Sequence, residues 1–243
     1  MDTQHGEQYF LDELVRLFDA DRIYRKFGGF GEDAFVEEVQ QYYERLDPEE
    51  KEAFEQAALR WLWSGEELRQ MQAIRLCGDV KSKRCVDDLL RLGGSLRNQS
   101  PNHKNLNWVV QALGHIGDSR ALDFLIKEAT EGEFRNGALM AISRIDLAHA
   151  WQLMPLVVEE YHQARRAPAL TEWLLASFLE DIPDDQIAWQ LGTALRRFPD
   201  KEYLIEQFRK ALRTLGYDAN AKWLSKRDKQ RLLQEFRKGL EQS

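Results

Sequence analysis

The apolar positions of this chain recur at helical spacing over most of its length. Leu106, Val109, Val110, Leu113 and Ile116 fall on one face of a predicted helix, because side chains three and four apart lie above one another on a 3.6-residue turn. Gly117 supplies a helix stop. Asp118 or Ser119 then offers an oxygen to a free amide of the next helix. That second helix carries Leu122, Leu125, Ile126 and Ala129 on its apolar face. One such pair has too little apolar surface to stand alone and must stack on neighbours. No run alternates with a period of two over strand length, so the expected fold is all-α.

The pair recurs. Gln72-Ala73-Ile74-Arg75-Leu76-Cys77-Gly78-Asp79 lies over Gln111-Ala112-Leu113-Gly114-His115-Ile116-Gly117-Asp118, and after a short loop Arg84–Leu90 resumes opposite Arg120–Ile126. A weaker copy runs Ala141–Asp146, with Ala150 and Trp151 opening the next helix, and a fainter one spans Leu175–Asp181. A period of roughly 30–45 residues is that of stacked helical hairpins. Over about residues 66 to 198 the repeat resembles the HEAT family, in the short form also seen in phycobilin lyases. The resemblance implies an α-solenoid of stacked hairpins with extra helices at both ends. It also implies an Asp–Arg ladder, with Asp79 beside Arg84 and Asp118 beside Arg120. The third copy has Asp146 but no arginine at the matching place, so the ladder is expected to break there.

Three segments follow: an acidic helical segment over 1–65, the repeats over 66–198 and a basic helical cap over 199–243. Residues 4–27 read as a helix, interrupted near Asp19–Asp21, followed by the glycine-rich Gly28–Gly31 connector. A second helix carries Phe35, Val36, Val39, Tyr42, Tyr43 and Leu46. Asp47-Pro48-Glu49-Glu50 is a helix start, and Ser64-Gly65-Glu66-Glu67 reads as a capping box. Gly93 to Asn102 is expected to be the longest loop, and all six prolines to mark helix starts or breaks. The last helices are placed near 201–216 and 226–240, the latter capped by Ser225 with Asp228.

Charge and side-chain chemistry narrow the function. Residues 1–65 hold 16 acidic and 7 basic side chains, residues 201–243 hold 6 and 11, and the whole chain carries −7. The ends are either solvated caps or surfaces for different partners. Alkylpurine DNA glycosylases are also built from HEAT-like hairpins, but they need a basic groove, and the central hairpins here mix signs. Nucleic acid is therefore not the expected partner, and nothing marks a bilin pocket. No basic leader precedes an apolar stretch and no apolar run reaches membrane length, so a cytoplasmic protein without a membrane span is expected.

Cys77 and Cys85 align with core positions and read as buried free thiols. Glu159 and His162 form one E-x-x-H pair, whereas di-metal carboxylate sites use two with further glutamates, so no metal or cofactor is expected. No nucleophile, base and oxyanion donors come together in the sequence. The reading is a non-catalytic protein-binding module, its concave face formed by the second helices, with Asp87, Arg91, Asp123, Phe124 and Lys127 off the buried stripe. Trp63 points away from the face of Trp61 and either packs under the N-terminal helices or serves as an exposed anchor. The alternative is an acidic inhibitor or immunity-type protein that neutralises a basic enzyme or toxin.

Overall fold

The computed structural model describes residues 6–19, 32–163, 168–180, 184–216 and 224–242, with backbone alone at 32–35 and 168–169. The Gly28–Gly31 connector and Trp223 lie outside the described residues. Among those described, 84% are helical and none is in a strand, so the fold is all-α. The chain divides into two compact units, residues 1–124 and 125–243.

The first unit holds α1 (Glu7–Leu17), α2 (Glu32–Arg45), α3 (Pro48–Leu62), α4 (Glu67–Asp79), α5 (Val86–Gln99) and α6 (Lys104–Ile116), and it ends in the first turn of α7 (Leu122–Glu131). Here α1 packs on α3, α3 on α4, and α6 on both α4 and α5. The aromatic centre is Phe54, met edge-on by Phe10 at 5.7 Å and flanked by Tyr42 and Tyr43. Asp47 starts α3 with a complete capping box, accepting from the amides of Glu49 and Glu50 while Glu50 accepts from Asp47. Ser64 does not do this for α4. Its hydroxyl donates back to the Trp61 carbonyl, and Glu66 is the cap residue, without a side-chain bond.

Two further expectations yield to packing. Gly93 and Gly94 lie inside α5, not in a loop. The reason is the neighbour: a Cβ on Gly93 would come within 2.7 Å of the Phe124 ring and 3.1 Å of Val109. Pro155 likewise sits within α9 (Leu147–Gln163), where it cannot donate to the carbonyl of Trp151.

The repeat register also differs from the alignment by residue identity. Buried Ala73, Ile74, Leu76, Cys77 and Gly78 of α4 occupy the places of Val109, Val110, Ala112, Leu113 and Gly114 of α6, without a gap. The left-handed residue that ends the first helix is Gly117 (φ 72°) in one copy and Lys81 (φ 53°) in the other. A lysine in that conformation costs about 1 kcal/mol and carries no glycine signature. Ser82, not Asp79, therefore stands where Asp118 stands. Asp79 is the last residue of α4.

The second unit holds the rest of α7, then α8 (Arg135–Ile145), α9, α10 (Pro168–Leu179), α11 (Asp185–Leu195), α12 (Lys201–Leu215) and α13 (Lys226–Glu241). In it α8 packs on α9, α9 on α11, and α10 on α12. The Glu128 carboxylate is buried and accepts from the amides of Glu133 and Phe134, doing the work of a cap where α8 has no capping side chain. Tightest is α11 on α13. A Cβ at Gly192 would lie 2.2 Å from the Phe236 carbonyl oxygen, and one at Gly239 would lie 2.3 Å from that of Trp189. Phe208 and Phe236 stack beside this crossing, 4.1 Å between centroids. Ser225 caps α13 by accepting from the Asp228 amide.

Candidate functional site

The turn between α6 and α7 is built around one arginine. Asp118 accepts from the Arg120 amide at 3.0 Å and from its guanidinium at 3.1 and 3.0 Å. The same guanidinium reaches back to Asp87 at 2.9 Å and to the Lys83 carbonyl at 2.7 Å. Arg120 thereby holds the Asp118 carboxyl below the ordinary aspartate range, through its side chain first and its amide second.

Arg84, in the matching place of the preceding repeat, also reaches backward. It meets Glu52 at 2.6 Å and Glu55 at 3.7 Å, both on α3. Glu55 is buried and accepts from the Tyr43 hydroxyl at 2.8 Å. Burial, and then that bond, hold the Tyr43 phenol well above its usual range. The ladder thus runs from each arginine, at the head of one second helix, to acids two helices earlier, on α3 for Arg84 and on α5 for Arg120. Asp87, offered by the sequence as a contact residue, is engaged in this ladder with Arg120.

A different cluster forms where α3 ends. Trp63 is 44% exposed. Its indole N–H donates to Asp88 at 3.0 Å, Arg91 lies over its ring at 4.8 Å, and Arg91 pairs with Asp88. The indole is therefore fixed across α5 and does not pack under the N-terminal helices. Each partner holds the other two: the carboxylate orients both donors, and the guanidinium covers one face of the ring. Beside it runs a groove of about 390 Å³ whose walls include Trp63, Gln70, Leu92, Leu96 and His103. Asn105 is buried and donates to the side chain of Gln70, one of these walls, at 3.0 Å.

Of the remaining candidates, Asp123 and Lys127 are exposed on α7, one turn apart. Phe124 is half-buried with its ring against Gly93. Asp88 and the groove residues carried no local signal, since Trp63 and Asp88 are 25 residues apart. Cys77 and Cys85 are free and buried, and the Cys77 thiol is pushed well above its usual range by its hydrogen bond to Cys85 and by burial. His162 lies against Phe198 and Tyr203, while Glu159 accepts from Gln163. Among the described residues no group of three metal-ligating side chains forms, and no helix is long and apolar enough to cross a membrane.

These features define an all-helical protein with a hairpin repeated in its first half. Residues 107–128 match the family described as PBS lyase HEAT-like repeat. The match runs from within α6 through Gly117 and the Asp118 turn into α7, so the chain carries a HEAT-like repeat where the Arg120 network sits. No curated protein and no solved structure matches the chain.

Proposed function

We propose that this chain is a non-catalytic, protein-binding helical-repeat scaffold whose partner docks on α5 and the neighbouring groove. The observation that carries this reading is the Trp63–Asp88–Arg91 cluster: an exposed tryptophan and an exposed arginine locked in one geometry by a shared carboxylate. Tryptophan and arginine dominate binding hot spots, and prior ordering lowers the entropy lost on association. Within the same unit Asp123 is exposed in the first turn of α7. Co-purification with the full chain as bait tests the proposal. Trp63→Ala combined with Arg91→Ala should release the partner while the unfolding midpoint stays unchanged. Turnover of a small molecule by the chain alone would overturn it.

The acidic-inhibitor reading has one observation in its favour. Residues 1–124 hold 23 acidic and 16 basic side chains, whereas 125–243 hold 18 of each. Yet Asp47 and Glu50 form a cap, and Glu52 and Glu55 bind Arg84, which leaves Glu37, Glu44 and Glu49 as the exposed acids of α2 and α3 with described side chains outside that network. A partner that is strongly basic and released by modest salt would favour this second reading over the groove.

A further inference from the structure

The second unit contains a cavity that takes no part in the Trp63 face. About 290 Å³ in volume, it lies among the end of α8, the start of α9, the end of α10 and α11. Its floor is apolar: Trp151 and Phe178 meet at 5.2 Å, with Leu147 and Ile187 beside them. Leu147 is 44% exposed, and Trp173, one turn before the lining residue Ser177, is 59% exposed. Apolar surface therefore continues past the cavity mouth.

Among the described residues that line it, one is a cation, Arg144 in the last turn of α8. A last-turn arginine ordinarily bonds a terminal carbonyl or a carboxylate. Arg135, at the opposite end of the same helix, meets the Gly132 carbonyl and Glu160. Arg144 is exposed and makes no hydrogen bond or ion pair with any described residue. A planar guanidinium fork that no described residue engages, beside two aromatic rings, is matched by a carboxylate attached to a bulky apolar group.

We propose that this cavity docks the free C-terminus of a partner polypeptide whose last residue is large and apolar. The terminal side chain lies on Trp151 and Phe178, the α-carboxylate meets Arg144, and the preceding residues cover Leu147 and Trp173. That apolar margin is what selects a polypeptide end over a small free acid, which would leave it exposed. The site shares no residue with the Trp63 face, so either proposal can fail while the other stands.

The test uses fluorescein-labelled hexapeptides ending in leucine, phenylalanine or tryptophan, each as the free acid and as the terminal amide, titrated into the full chain by anisotropy. The free acid should bind about tenfold more tightly than its amide, the scale of one charge-assisted hydrogen-bonded contact. Arg144→Gln, a change at an exposed position, should abolish that difference and leave amide binding as it was. Leu147→Ser should weaken acid and amide alike. Acid and amide binding equally, a preference that survives Arg144→Gln, or no binding at millimolar peptide would overturn the proposal. So would 3-phenylpropionate binding as tightly as the peptides, which would make this a small-acid site, or an amidated peptide with an internal glutamate binding as well as the free acid.

Discussion

The two units reach the same end, a buried helical core, by different means. In residues 1–124 helices are joined by polar geometry: Arg84 and Arg120, at the heads of α5 and α7, bind acids of α3 and α5, and Asp47 and Asp118 cap the helices that follow them. In residues 125–243 the tightest join is backbone against backbone, at Gly192 and Gly239, with a stacked phenylalanine pair beside it. Exposed ion pairs contribute little individually, about 0–1 kcal/mol each, and tolerate replacement. Close helix crossings tolerate almost none, because added volume has nowhere to go. Loss of a polar join in the first unit should therefore act gradually, and added volume at the α11–α13 crossing of the second abruptly.

The largest expected effect follows from that contrast. Gly239→Ala places a methyl against the Trp189 carbonyl and should cost roughly 2–4 kcal/mol in urea unfolding, at or beyond the upper end of ordinary overpacking. Gly94→Ala, whose Cβ meets nothing within 4 Å, should instead stabilise by about 0.5–1 kcal/mol, the helix preference of alanine over glycine. Equal effects at the two glycines would erase the distinction between an open helix face in the first unit and the close crossing in the second.

Next in size is Asp118→Ala, which removes the cap and should cost about 1 kcal/mol. The Asp118 carboxyl titrates lower in the folded chain than in the unfolded one. Its stabilisation is therefore fully present above the ordinary aspartate pKa of about 3.9 and is lost as pH falls through the lower folded value. The difference between parent and Asp118→Ala should shrink on acidification below about pH 4. A difference independent of pH would remove Arg120 from the explanation.

Smaller still is the effect of salt on association. With most acids of α3 engaged internally, the rate with the native partner should fall only a few-fold between low and physiological ionic strength, where screening acts over about 8 Å. A fall of a hundredfold or more would restore the acidic surface as the working face.

The helices themselves were legible from the sequence because their apolar positions repeat every three or four residues. The Asp118 turn was legible because Gly117 and Asp118 are the residue types such a turn requires. What stayed hidden depends on neighbours distant in the chain. Gly93 reads as a loop residue until Phe124 is laid against it. Lys81 conceals the left-handed turn that Gly117 advertises, and so the first repeat aligned three residues out of register. Glu55 is one of many acids in the first 65 residues, and only its contacts with Tyr43 and Arg84 single it out as buried. At the candidate site Trp63 and Arg91 were visible as residues off the buried stripe. Asp88, which joins them, was not, because no periodicity relates a helix end to a position two helices further on.

The central claim is that the locked Trp63–Asp88–Arg91 cluster is the binding anchor. Its most direct test is the dissociation constant of the co-purified partner for the parent chain and for the Trp63→Ala/Arg91→Ala variant, measured with the unfolding midpoint of each. A loss of about thirtyfold or more, near 2 kcal/mol, at an unchanged midpoint is the predicted result. An affinity equal to the parent's would contradict the claim.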